Sequence, residues 1–186
     1  MIQENRRRRR ISLQPKGTPA IIDELEFISN KCSLNARRIG EKIETTTVVD
    51  FWIDKHYHIR YQHGDEKGKR EGIEPEKVQN IVTESLKHLI FYAGSVKNFT
   101  FLNHNIKTGN RNLRVVCQKV FDGNKTNVTI EAHIISLNEF EITIVTAIQN
   151  NDYLPSDGQY TIELLGGENS CLYYSSRGKI SEISNI

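Results

Sequence analysis

Cysteine is scarce in this chain. Cys32, Cys117 and Cys171 are the three in 186 residues, widely spaced and without a C-x-x-C pair, which excludes both a disulfide framework and a zinc knuckle. A reducing, cytoplasmic setting fits that usage. Long apolar runs are missing too, and none approaches the roughly 20 residues a membrane-spanning helix needs, so no membrane association is expected. Ile11 to Leu13 is followed by Gln14, Pro15 and Lys16, where a signal peptide would carry its apolar core. There is no G-x-S-x-G elbow, no phosphate-cradling glycine motif and no Cys/His nucleophile pairing. With 37% hydrophobic and 26% charged residues, the composition is that of a soluble globular chain.

The charge is concentrated. Net charge is only +2, yet Arg6, Arg7, Arg8, Arg9 and Arg10 are consecutive, so the remaining body is close to balanced. Five adjacent like charges resist compaction, and residues 1–17 are read as a disordered basic tail and linker. Such a tail can bind phosphate backbones without sequence preference, act as a nuclear import signal, or serve as a basophilic kinase site at Arg9, Arg10, Ile11 and Ser12. Three Asn-X-Thr sequons, at Asn98, Asn124 and Asn127, occur in a chain rich in Asn, Ser and Thr; without a secretion signal they carry no argument.

Residues 18–165 read as a single α+β domain, N-terminal helices and one central helix packed on a mostly antiparallel β-meander sheet, and residues 166–186 as a polar C-terminal tail. Thr18 and Pro19 open a helix through Ile21, Ile22, Leu25 and Ile28. A shorter helix is expected from Ser33 to about Ile43, with Leu34, Ile39 and Ile43 inward and Arg37, Arg38 and Lys42 on the outside. The β-branched run from Thr45 leads into Phe51, Trp52 and Ile53 as a strand. Glu74 and Pro75 start the clearest helix, with Val78, Ile81, Val82, Leu86 and Leu89 inward and Gly94 as its break. Strands follow at Phe99–Leu102, Asn112–Phe121, Asn127–Leu137 and Glu141–Ile148, the middle pair joined through Asp122-Gly123. Gln159–Leu165 reads as an edge strand, and Leu172 to Tyr174 as a short strand in the tail.

Chemistry concentrates between Val48 and Leu89, which holds four of the six histidines. Read as a continuing strand, period-two alternation places Asp54, His56, His58 and Arg60 on one face and Lys55, Tyr57, Ile59 and Tyr61 on the other. His56, His58 and His63 with Asp54 could supply zinc ligands, but no fourth ligand is indicated by pattern, and no metal or cofactor is expected. Acid/base cleavage of a phosphodiester needs less: a base for a ribose 2′-hydroxyl, an acid for the leaving oxygen, and cations for the growing charge. His56, His58, Arg60, His63 and Arg70 supply those parts, with Tyr57 or Tyr61 to stack on a base. A polar strand face of ordinary hydrogen-bonded histidines is the bland alternative.

The order His58, Arg60, His63, then Lys69-Arg70-Glu71-Gly72-Ile73, a capped helix with Val78 and Val82, and the strands LRVVCQKVFDG and FEITIVTAI resembles the small toxin-type ribonucleases. These are the RelE and BrnT toxins and the wider barnase, EndoU and colicin nuclease grouping, and the likeness spans about Phe51 to Ile148. Glu71 interrupts the family's Arg-Gly pair. The resemblance implies a metal-independent endoribonuclease of toxin or effector type, with RNA and a cognate inhibitor protein as partners. It also implies nucleic-acid contacts at Arg114 and Thr146, in addition to the arginine tail. Two other classes remain open: a non-catalytic nucleic-acid-binding module, and a structural or partner-recognition protein such as a phage component or immunity protein.

Overall fold

The computed structural model describes residues 27–44, 47–63, 72–103, 112–136 and 139–186, with the side chains at 40–44, 47 and 63 left aside. The arginine tail, Arg70 and most of the expected helix from Thr18 to Ile28 lie outside the described residues; Ile28, its last expected inward position, instead forms an antiparallel bridge with Ala36 and is 55% exposed. Within them the chain forms β1 (Ala36–Glu44), β2 (Thr47–Asp54), α1 (Lys55–His63), α2 (Pro75–Ser95), β3 (Leu102–Asn103), β4 (Val115–Phe121), β5 (Asn124–Ser136), β6 (Glu139–Gln149), β7 (Tyr160–Gly166), β8 (Asn169–Ser176) and β9 (Lys179–Asn185). The strands make one mixed sheet in the order β1-β2-β6-β5-β4-β7-β8-β9, with β3 pairing β5. The architecture is α+β and dominated by sheet.

The expected meander is present. β4, β5 and β6 pair antiparallel in succession, and the Asp122-Gly123 turn between the first two has both residues at positive φ, 48° and 78°, the geometry that a two-residue hairpin of matching twist requires. Outside the meander, β2 runs parallel to β6 and β7 parallel to β4. β7 is therefore an interior strand and not an edge. The polar C-terminal stretch is also more ordered than a tail with one short strand, because β8 and β9 form a hairpin that extends the sheet beyond β7.

Two local expectations fail for a shared reason. The helix expected from Ser33 to Ile43 is strand β1 from Ala36, paired antiparallel along β2, and Leu34, expected to face inward, is 81% exposed. Conversely, the strand expected to run on to Tyr61 stops at Asp54. There the Asp54 carboxylate accepts the His56 backbone N–H at 2.8 Å, the N-cap bond that starts a helix. The alternation from Asp54 to Tyr61 thus does not exist. In both segments tertiary pairing or capping outweighs a short run whose apolar spacing suits either state.

α2 behaves as its spacing predicts over its first turns, burying Val78, Ile81, Val82 and Leu89 at about 1.5–3 kcal/mol each. It then runs through Gly94 to Ser95. The buried Tyr92 holds this last stretch, its phenol donating to the Ser170 carbonyl at 2.8 Å. α2 shares a core with Cys117, Val128, Ile130, Ile144, Ile162 and Leu172, which stand in register on adjacent strands. The residues of opposite parity, Trp52, Thr143, Glu131, His133, Thr129 and Gln118, share the other face, and it is polar.

Candidate functional site

Helix α1 regroups the residues singled out in the sequence. At 3.6 residues per turn, positions 56, 60 and 63 form one row (i, i+4, i+7), whereas 58 is rotated away. His56 is exposed. His58 is buried at 8% exposure, its ring edge-on to Phe27 with centroids 5.4 Å apart. It therefore leaves the polar row, because a helix turns by about 100° per residue where a strand alternates. His63 is the last residue of α1, and its side chain lies outside the described atoms.

Arg60 reaches the sheet. Its Nη1 donates to Thr146 Oγ1 at 2.6 Å across 86 positions of sequence, and Thr146 stands opposite Thr129 in the register of β5 and β6. The structure brings together these two separately chosen residues.

Tyr57 is not available to stack on a base. It is 2% exposed, its phenol donates to the Ile73 carbonyl at 2.6 Å, and burial, with a smaller push from Tyr61, raises its pKa well above the ordinary value. Tyr61 keeps 38% exposure. Next to the Tyr57 bond, Gly72 packs so close to α1 that a Cβ there would sit 2.3 Å from the Tyr61 carbonyl oxygen. The chain re-enters against α1 at a point that only glycine fits.

Arg114 belongs to a different cluster. Its Nε donates to Glu131 Oε2 at 3.1 Å, while Glu131 Oε1 accepts from the Asn112 amide and lies 3.2 Å from His133 Nε2. The Cys32 thiol lies close enough to Glu131 for the two to perturb each other's titration. It is held nearby by an Asx turn in which Asn30 Oδ1 accepts the Cys32 and Ser33 backbone N–H groups at 3.0 and 2.7 Å. Asn30 and Lys31 are themselves anchored on β6, by Asn30 Nδ2 to Thr143 Oγ1 at 2.7 Å and the Lys31 N–H to Glu141 Oε1 at 2.9 Å.

Glu131 is 1% exposed. Burial is the largest single influence and would raise its carboxyl, but the bonds from His133, Asn112, Cys32 and Arg114 together outweigh it and hold the pKa below the ordinary value. The same surroundings, burial first and then the Glu131 charge, push the Cys32 thiol far up, so it is no thiolate nucleophile near neutral pH. Cys117 is pushed up to about 12 by burial. Sequence reasoning passed over Glu131, His133, Asn112 and Cys32. The available signal was the E-x-H pair of β5, two titratable residues of one parity in a strand whose other parity is Val128, Ile130 and Ala132.

Among the described residues no group of three His, Cys, Asp or Glu side chains could hold a metal ion, and no helix is long and apolar enough to cross a membrane. The fold and these two clusters define an α+β protein with a mixed sheet, one polar sheet face, and a basic helix lodged against β6. No protein-family model matches the chain, and comparison with curated proteins and with solved structures finds no match.

Proposed function

We propose that this chain is a metal-independent endoribonuclease of toxin or effector type, with its reaction centre where α1 meets β6. The observation that carries the reading is the Arg60–Thr146 bond at 2.6 Å, since it joins the arginine chosen for phosphate chemistry to the strand residue implied by the toxin resemblance. The Thr146 hydroxyl fixes one guanidinium nitrogen of Arg60. The guanidinium charge is thereby placed beside β6, where it stabilises the negative charge that grows on a scissile phosphate.

The row of positions 56, 60 and 63 supplies the acid and base. One histidine takes the proton of the ribose 2′-hydroxyl as its oxygen attacks phosphorus. The other gives a proton to the departing 5′ oxygen, leaving a 2′,3′-cyclic phosphate. His56 and His63 take these roles. His58, packed on Phe27, seats the helix. Arg70 and the arginine tail add phosphate contacts, and Tyr61 offers a face to a base. The compartment proposed is the cytoplasm, where a cognate inhibitor protein would restrain such an activity.

The test is cleavage of a mixed RNA pool in EDTA. The wild type should cleave with a bell-shaped pH profile, and Arg60→Ala should lower kcat/KM by about 100–1000-fold with its circular dichroism unchanged. RNA bound tightly but left intact would convert the reading to a binding module; neither binding nor cleavage would refute it.

A further inference from the structure

The Glu131 cluster shares no residue with the proposed reaction centre and closes one side of a cleft of about 660 Å3, a size typical of ligand sites. Arg114, Asn112 and Glu131 line one wall, and Ser156, Gly158 and Gln159 line another. Both walls are fixed. Asn103 clamps the first, its Nδ2 donating to the Leu113 carbonyl at 2.9 Å while its Oδ1 accepts the Leu113 N–H at 2.7 Å. The second is tied to the β8–β9 hairpin, by the Gly158 N–H to the Ser175 carbonyl at 2.7 Å and by the Gly178 N–H to Asp157 Oδ1 at 2.9 Å.

A fully buried carboxylate is costly to desolvate, and apolar packing would serve stability as well or better. Glu131 is nevertheless present, and its effect is to orient an arginine. It engages Nε alone, while the Arg114 side chain remains 48% exposed. A guanidinium has five N–H donors in a rigid fork, so four are directed elsewhere than to Glu131. Asp157 also lines the cleft, and its carboxylate disfavours a doubly charged guest.

We propose that this cleft binds a singly charged oxyanion, a phosphodiester or a carboxylate, on the outer fork of Arg114, with Glu131 as the positioning residue. The inference is independent of the ribonuclease reading, because Arg60 and Thr146 take no part in it.

The test uses the full chain, with dimethyl phosphate, acetate and a 2′-O-methylated RNA oligonucleotide as probes, followed through the Arg114 Nε–H and Asn112 side-chain amide resonances. Saturable shifts with at least one probe are expected. Arg114→Met, at a half-exposed position, should abolish binding, and Arg114→Lys should weaken it by about tenfold or more, because lysine keeps the charge and loses the fork. Tighter binding of the oligonucleotide than of dimethyl phosphate, lost in Arg114→Met, would identify an RNA backbone as the source, and a response to acetate alone would identify a carboxylate. No saturable shift with any probe, or wild-type affinity in Arg114→Met, would overturn the proposal.

Discussion

Replacing Glu131 by glutamine keeps size and shape while removing the charge at the centre of the polar face. Three side chains donate to or lie within hydrogen-bond distance of its carboxylate, with Arg114 Nε at 3.1 Å and His133 Nε2 at 3.2 Å. The glutamine amide can accept on one oxygen only and turns an NH2 group toward donors. Hydrogen bonds to a charged group are worth about 1.5–3 kcal/mol each, and a buried donor left unpaired costs about 1–3 kcal/mol. Arg114 and Asn112 are exposed enough to recover water, so His133, at 6% exposure, bears most of the loss. A destabilisation of about 2–3 kcal/mol follows, or roughly 5–10 °C in Tm for a chain of this size. The sign with pH is determined by the depressed Glu131 pKa. The unfolded chain takes up the proton near the ordinary value of 4.5 and the folded one only below it. The stabilisation by Glu131 is therefore complete above pH 4.5 and is lost as pH falls through the lower folded pKa. Urea unfolding at pH 7 and at pH 3 measures both effects. Equal stability of wild type and Glu131→Gln at pH 7, or a deficit that persists undiminished at low pH, would refute the reasoning.

Other expectations follow from the local geometry. Gly72→Ala should destabilise by several kcal/mol or displace the chain from α1, because the new Cβ would sit 2.3 Å from a backbone oxygen; hydrogen exchange of the α1 amides would report it. Asp54→Ala should cost about 1 kcal/mol by removing the N-cap bond to His56, read by thermal melting, while Asp54→Asn should restore most of it. Leu89→Ala, at 0% exposure in the α2 core, should cost about 2–5 kcal/mol in urea unfolding. Deleting Arg6 to Arg10 should weaken RNA affinity and flatten its salt dependence, with Tm unchanged; an unaltered salt slope would count against any role of the tail in RNA binding.

Legibility in the sequence followed the length and regularity of each pattern. The long helix after Pro75 and the three-strand meander were readable because many residues repeat one period and the turn between β4 and β5 is an Asp-Gly pair. The short segments misled. Asp54 to Tyr61 alternates well enough for a strand, and a single capping carboxylate decides for a helix, which keeps Arg60 in the candidate row and removes His58 from it. The Glu131 cluster was missed for another reason: its members come from positions 32, 112, 114, 131 and 133, and beyond the short E-x-H pair no spacing in the chain links them.

By itself the sequence determined the α+β class, the central helix, the β4–β5 turn and the concentration of histidine and arginine after Ile53, all of which depend on local propensity and periodicity. The tertiary structure alone decided that β2 lies parallel to β6, that the C-terminal stretch completes the sheet, that Arg60 meets Thr146, and that Glu131 gathers its donors. Those outcomes depend on which strands become neighbours, and strand pairing is a contest between distant segments that no local pattern records.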